Sequence, residues 1–308
     1  FIPQGEFVAY GALTLATLQA GKLPATLWMI LVLGAVIAAI DGALALRHGA
    51  GRRLPRIVAT NLGVPLLLWL LLSGINLGGL PLIAQVALTL AVVVPLGPMI
   101  YRLAYQPIAE APVLILLIVS VAVHVVLIGL GLLFFGAEGT RTPAFTEGTL
   151  DLGVTTLQYQ TLWILAISAV LIAALYAFFG RTLYGKALRA TAINRTGARL
   201  MGISTTMAGK LSFTLAALIG AFSGILVSPI TTLYYDSGFL IGLKGFVGAI
   251  IGGLASYPVA AAGALLVGFL ESYSSFYASA YKEVIVFTLI IPVLLWRSLT
   301  SHHSEEEE

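Results

Sequence analysis

Long apolar runs separated by short polar intervals repeat along the whole chain, at roughly 6–20, 24–46, 57–73, 80–101, 112–136, 160–179, 208–229, 240–255, 258–276 and 283–297. A hydrocarbon core is crossed by ~20 apolar residues in a helix, whereas barrel strands alternate polarity every second residue. The runs do not alternate, so the pattern predicts an all-α chain, a polytopic transmembrane helical bundle of about 8–10 spans, with ten as the working count. The first, eighth and last runs are shorter than a full crossing needs and are expected to be broken or tilted.

The longest polar interval without a turn-rich look is Gly180 to Ile203, which carries five of the sixteen Lys and Arg residues. Plotted at 100° per residue, Ala190, Ile193, Gly197, Leu200 and Met201 share one side of a helix over 186–201, and Arg195 and Arg199 point the other way. Small residues on that side would let another surface approach closely. Lys186 and Arg189 sit at the helix start, where the macrodipole does not favour them, which points to a partner or to lipid headgroups. The plainer reading is an ordinary basic cytoplasmic loop. Gly180, Gly185 and Lys186 also fit the start of a phosphate-binding loop, but Ala187 stands where a Ser or Thr must hold magnesium, and an apolar helix precedes the motif instead of a strand.

Composition agrees with a membrane chain: 59% of the 308 residues are hydrophobic, 9% are charged and the mean hydropathy is +1.02, against about 25% charged residues in soluble domains. The net charge of +3 belongs to loop arginines facing a cytoplasm and an anionic leaflet, not to a nucleic-acid surface. With no cysteine, disulfides, thiolate metal sites and catalytic thiols are excluded. The chain opens on Phe1 instead of methionine, so sequence upstream is expected, and no signal peptide is legible.

Placing 180–207 in the cytoplasm puts twelve cations inside (Arg47, Arg52, Arg53, Arg56, Arg102, Arg181, Lys186, Arg189, Arg195, Arg199, Lys210 and Arg297) and leaves Lys22, Arg141, Lys244 and Lys282 at or near the outer surface. The interval 137–159 is then the main external segment, a short hairpin or Ω-like loop. Gly220 and Gly224, then Gly245, Gly248, Gly252 and Gly253, give faces where helix backbones can approach. Either these are packing contacts, or the glycine-rich helices form a sliding or broken segment beside a pathway.

Ionisable residues inside apolar runs carry information because they are costly there. Asp41 is expected near the cytoplasmic end of its run in a structural role. His124 is expected as a neutral imidazole satisfied by a neighbouring helix, ahead of a proton relay, and Glu271 is a candidate for a polar cavity. The tail 298–308, with His302, His303 and four glutamates, reads as a disordered acidic end, and two adjacent histidines without further ligands make no metal site. No catalytic constellation emerges, and no soluble domain is legible.

Three stretches resemble the permease subunits of branched-chain amino acid ABC importers, the LivH type. They are Gly185-Lys186-Ala187-x-Arg189-Ala190-x-Ala192-x-Asn194-x-x-x-Ala198-x-Leu200-x-Gly202-Ile203; Tyr235-Asp236-Ser237-Gly238-Phe239 with Gly242-Leu243-Lys244-Gly245-Phe246 and Ala249-Ile250-Ile251-Gly252-Gly253-Leu254; and Tyr101-Arg102-Leu103-Ala104-Tyr105-Gln106-Pro107. Gly268 with Glu271, and Gly5-Glu6-Phe7, are similar to further family motifs. The match covers about two-thirds of the chain. It departs at Ile2-Pro3-Gln4, where the family has Phe-Ala-His and an earlier helix, and at 24–75, which reads as a two-helix insertion.

The resemblance implies one transmembrane permease domain over 1–308 with a cytoplasmic coupling loop at 180–207. Lys186, Arg189, Ala190, Ala192, Asn194, Ala198, Gly202 and Ile203 would couple it to an ATPase. Tyr235, Asp236, Gly245, Gly248, Gly252, Gly253 and Glu271 are its pathway or gating candidates. The implied partners are a second homologous permease, two cytoplasmic ATP-binding subunits that hold the ATP and Mg, a periplasmic substrate-binding protein and the lipid of a bacterial inner membrane. This chain itself would bind no cofactor or metal and catalyse no reaction. The implied cargo is leucine, isoleucine or valine. Urea and short-chain amides, which the same family serves, are the alternative, and an ion-coupled secondary transporter is the more distant one.

Overall fold

The computed structural model describes residues 2–151, 153, 156–251, 257–289, 291–293 and 295. Gly252, Gly253, Arg297 and the tail 298–308 lie outside these. Among the described residues, seven helical stretches are long and apolar enough to cross a membrane: Thr26–Arg47, Gly51–Ser73, Leu82–Ile108, Val113–Phe135, Tyr159–Arg181, Thr205–Val227 and Pro258–Tyr277. Two shorter helices join them, α1 (Gln4–Gln19) and α11 (Ser237–Ile251). The chain is a polytopic helical bundle, and its only sheet among the described residues is a two-stranded hairpin.

The shortest early run holds the centre. Twelve of the sixteen residues of α1 are buried, enclosed chiefly by α10 (Thr205–Val227), α11 and α4 (Leu82–Val93). Glycine makes this possible. A Cβ built on Gly224 would stand 1.9 Å from the Val8 carbonyl oxygen, one on Gly11 2.4 Å from that of Ala221, and one on Gly220 2.7 Å from Phe7 Cβ. These helices therefore meet backbone to backbone, the close approach that replaces a hydrophobic driving force in lipid. By contrast, Gln160 is the only buried residue of α7 (Tyr159–Arg181).

The next two helices, α2 (Thr26–Arg47) and α3 (Leu54–Ser73), form an antiparallel hairpin. It closes where a Gly34 Cβ would lie 2.4 Å from the Asn61 carbonyl oxygen. The following span is broken. After α4 comes Pro95, then α5 (Leu96–Ile100) with Pro98 inside it, a π turn at Tyr101–Tyr105 and a 3-10 turn at Gln106–Ile108. Proline removes a backbone donor and clashes with the preceding turn, which is why this run does not continue as one regular helix. Then follow α6 (Val113–Phe135), α7, the short helices α8 (Leu183–Ile193) and α9 (Arg195–Leu200), α10, α11, α12 (Tyr257–Tyr277) and α13 (Lys282–Thr288).

The two ends of the bundle differ in charge. At one end Asp41 of α2 pairs with Arg102, and Arg199 of α9 pairs with Glu110. At the other, the segment after α6 forms the expected hairpin: β1 (Thr149–Asp151) pairs antiparallel with β2 (Thr156–Gln158), Thr149 facing Gln158. It is tied to the loop after α10 by a Thr140–Leu233 bridge, by Arg141 donating to the Pro229 carbonyl at 2.7 Å and by a Thr142–Ser228 hydroxyl contact at 2.5 Å.

Lys244, halfway along α11, is paired: its Nζ lies 2.5 Å from Glu271 Oε1 on α12 and 3.9 Å from Glu283 Oε1. The start of α11 is set by α1, since a Gly238 Cβ would fall 2.4 Å from the Gly5 carbonyl oxygen.

Because α1 and α10 touch through backbone, Gly224→Leu should lower the thermal unfolding temperature sharply, overpacking of a fitted contact costing ~1–3 kcal/mol or more. Gly129→Ala on α6, where no atom lies within 4 Å of an added Cβ, should leave it unchanged or raise it slightly. Fluorescence-detected unfolding of the purified protein in detergent or nanodiscs measures both, and equal temperatures for the two variants would contradict the contact.

Candidate functional site

The basic end is built around the segment after α7, and it is not one helix. Thr182 caps α8, its hydroxyl accepting from the Gly185 N–H at 3.0 Å, and a Gly185 Cβ would lie 2.2 Å from the Phe178 carbonyl oxygen. Gly185 is therefore a packing residue on α7 whose N–H serves the cap, which disposes of the phosphate-loop likeness. The chain then breaks at Asn194, in extended backbone (φ −144°, ψ 101°), whose side chain caps α9 by accepting from the Gly197 N–H at 2.7 Å. Asn is a favoured N-cap, and its placement inside an otherwise helical pattern was the legible signal for two helices.

That break corrects the single helical face expected over 186–201. Of the residues assigned to the covered side, Ile193, Leu200 and Met201 are 84%, 84% and 83% exposed, Ala190 is half-buried and Gly197 half-buried. Arg195, expected to be free on the opposite side, is partly buried and donates to the Ala109 carbonyl. Arg199 donates to Glu110 Oε1 at 2.6 Å. Together the two arginines tether α9 to the turn between the broken span and α6.

The other coupling candidates divide by role. Lys186, Arg189 and Ala192 are exposed. Ala198 is buried against this chain, so it is not free to meet a partner. Gly202 adopts φ +79° just after α9 and lets Ile203 N–H return to the Ala198 carbonyl at 2.9 Å. That left-handed position is one most L-residues resist.

The pathway candidates fall into two places. Tyr235 packs beside Gly131 of α6, where an added Cβ would be 3.3 Å from Tyr235 Cβ, and Asp236 is exposed next to it. Glu271 and Lys244 form the separate pair on α12 and α11. Gly248 is packed on α12, an added Cβ lying 3.0 Å from Ala264 N, whereas Gly245 is exposed with open space beside it.

A third polar contact went unread in the sequence. Glu6, in the first turn of α1, is 1% exposed, and its Oε1 lies 2.9 Å from His124 Nδ1 midway along α6. The His124 ring also meets Phe239 of α11, with centroids 4.8 Å apart. One turn along α1, the Tyr10 hydroxyl donates to the Leu127 carbonyl at 2.8 Å. His124 thus has the neighbouring-helix partner expected of it, but that partner is a carboxylate 118 residues away. Glu6 Oε2 has no hydrogen-bond partner among the described residues. Asp41 and Glu271, the carboxylates a coupling ion would need, are each paired with a cation of this chain.

Two outcomes follow. Glu6→Ala should destabilise the folded protein by about 1–3 kcal/mol, since it strands a buried imidazole nitrogen. Glu6→Gln, which keeps a bonding side chain there, should cost less, and thermal unfolding in nanodiscs ranks the two. At the basic end, the hydrogen bond from Arg199 and then its charge favour the ionised form of Glu110 and hold its carboxyl below the ordinary carboxylate range. A depressed value means that the tether is intact at neutral pH and opens only as pH falls through that lowered value. Infrared titration, with Glu110 assigned by the Glu110→Gln difference, should show this, and Arg199→Ala should move the titration up.

The family described as "Branched-chain amino acid transport system / permease component" matches residues 58–294. The high-affinity branched-chain amino acid transport system permease protein LivH of Escherichia coli K12 is 31% identical over 236 residues, 73% of this chain and 76% of that protein. LivH of Salmonella typhimurium is 32% identical over 209 residues, 65% and 67% of the two chains. The permease protein BraD of Pseudomonas aeruginosa is 28% identical over 236 residues, 74% and 77%. These relatives are named as transport permeases, not enzymes. No solved structure matches the chain.

Proposed function

Since the chain belongs to the branched-chain amino acid transport system permease family, and is a multi-pass inner-membrane protein, we propose that it is the transmembrane subunit of an ATP-binding-cassette importer for leucine, isoleucine and valine. It pairs with a second, similar permease. Two ATP-binding subunits dock on α8 and α9 at the basic, cytoplasmic end, and a substrate-binding protein delivers cargo at the opposite end, near the β1–β2 hairpin.

The observation that carries this reading is the pair of bare tips beside the Asn194 break. Ile193 ends α8, and Leu200 and Met201 end α9, all three almost fully exposed, and Arg195 and Arg199 tie α9 to the chain's own turn at Ala109 and Glu110. Burying a Leu or Ile side chain is worth about 1.5–3 kcal/mol, so a cleft in a soluble subunit gains several kcal/mol by covering all three. The tethers supply the rigidity: a push on α9 reaches the broken span and α6 through Ala109 and Glu110. A basic loop adapted only to headgroups would leave its cations free, whereas here Arg195 is partly buried on the Ala109 carbonyl and Arg199 pairs at the surface with Glu110.

The test is uptake into proteoliposomes holding the permease pair, the ATP-binding subunits and the binding protein. ATP-driven uptake should favour leucine, isoleucine and valine over urea and acetamide. Leu200→Asp should leave permease pairing intact and reduce stimulated ATP hydrolysis at least tenfold, the loss of about 1.4 kcal/mol or more of docking energy. Normal stimulation in Leu200→Asp would refute the docking assignment. Uptake of urea or acetamide in place of leucine would refute the cargo alone.

A further inference from the structure

At the basic end a cavity of about 300 Å³, open to one side, lies between α8, the end of the broken span, the start of α6 and α10. One wall is a fixed aromatic cluster. The Phe213 ring lies 5.1 Å from Tyr101 and 4.8 Å from Tyr105, centroid to centroid, and Tyr105 is held by a 2.9 Å hydrogen bond to Ser120. A Gly209 Cβ would be 2.3 Å from Tyr101, so that ring is seated by backbone packing as well. Leu188 completes the apolar side.

The other side is polar and carries both signs. Arg195 lines the cavity, and one end of its guanidinium is held on the Ala109 carbonyl. A guanidinium has five N–H donors, so most of its capacity remains. An adjoining cleft of about 220 Å³ shares Tyr101, Ala109, Arg195 and Thr205 with the cavity and adds Gln106 and Glu110. Gln106 Oε1 is buried without a hydrogen-bond partner among the described residues. A buried acceptor left unpaired is costly, of the order of 1–3 kcal/mol, and therefore points to a missing donor.

Aromatic and leucine walls, a guanidinium with free donors, and an unpaired acceptor beside a carboxylate together complement one class of molecule: a zwitterion with a short branched apolar side chain. Ligand pockets commonly begin near 300 Å³, apolar in most of their lining with few polar groups. An anionic lipid phosphate would satisfy Arg195 but would bring no donor to Gln106 Oε1 and would lie against the Glu110 carboxylate, which Arg199 in the same cleft already holds.

We propose that this cavity is a binding site for the free branched-chain amino acid on the cytoplasmic side. The carboxylate rests on Arg195, the ammonium on Gln106 Oε1 and Glu110, and the side chain against Tyr105, Phe213 and Leu188. The site rests on the cargo and orientation assigned above. An occupant there bridges α8 and α9 to the bundle, so accumulated cargo holds the coupling helices in one position and slows the hydrolysis that their movement permits. The site is a feedback device for the importer.

The complex of both permeases and the ATP-binding subunits, in nanodiscs without binding protein, tests this by equilibrium binding of radiolabelled leucine and by ATP hydrolysis with and without leucine. Leucine should bind saturably and slow hydrolysis. 4-Methylpentanoate and isopentylamine, each lacking one of the two charges, should bind about tenfold or more weakly, the scale of one lost charge-assisted hydrogen bond. Ser212→Trp, which fills the cavity, should abolish leucine binding and bring the ratio of the two hydrolysis rates to one. If that variant does not assemble, Gln106→Leu should weaken leucine binding about tenfold while 4-methylpentanoate binds as before.

Absence of saturable leucine binding, or binding untouched by both variants, overturns the site. Loss of leucine binding on adding phosphatidylglycerol to the nanodiscs assigns the cavity to a headgroup and also overturns it. Leucine uptake from outside without leucine binding here sinks this proposal alone, whereas uptake of urea or acetamide but not leucine sinks the cargo assignment on which it rests.

Discussion

The fold depends on the direct contact of the α1 backbone with α10 and α11. Lipid offers apolar side chains no gain from leaving water, so helices associate by close packing and by satisfying polar groups. Gly5, Gly11, Gly220, Gly224 and Gly238 let carbonyl oxygens and Cα atoms take the space a side chain would fill. With α1 held in this way, its Glu6 reaches His124 and its Tyr10 reaches the Leu127 carbonyl. The shortest of the early apolar runs becomes the most buried helix, and the longer ones turn broad apolar faces outward.

Charge inside the bundle follows the same constraint. A lone charge in hydrocarbon is costly and is kept where a partner or water reaches it. Here each such group has a partner on another helix: Glu6 with His124, Asp41 with Arg102, Lys244 with Glu271. These pairs join α1 to α6, α2 to the broken span and α11 to α12, so they fix which helices are neighbours as well as neutralising charge.

At the basic end the same chemistry ties a short helix to the bundle. Arg195 donates to the Ala109 carbonyl and Arg199 pairs at the surface with Glu110, so α9 is joined to the turn before α6. That turn follows the span that prolines have interrupted, where a π turn and a 3-10 turn replace regular helix. Irregular backbone of this kind is easier to displace than an unbroken helix.

What the amino-acid sequence determined was everything carried by local pattern. The apolar runs became helix, the fourth of them broken at its prolines and the last beginning as α13 (Lys282–Thr288), because length and apolarity suffice to make a helix in lipid. The polar hairpin after α6 and the close-packing role of Gly220 and Gly224 were legible for the same reason, and the Asn cap that divides the coupling segment carried a local signal that the wheel over 186–201 passed over. The tertiary structure alone decided which distant groups meet. No spacing rule joins Glu6 to His124 across 118 residues or Gln106 to Arg195. The partners of Lys244 on α12 and of Arg195 at the Ala109 turn are likewise set by the tertiary fold. A one-dimensional pattern fixes which face a residue takes on its own helix, but what covers that face depends on how helices cross, and here that is set by glycine contacts between segments more than two hundred residues apart.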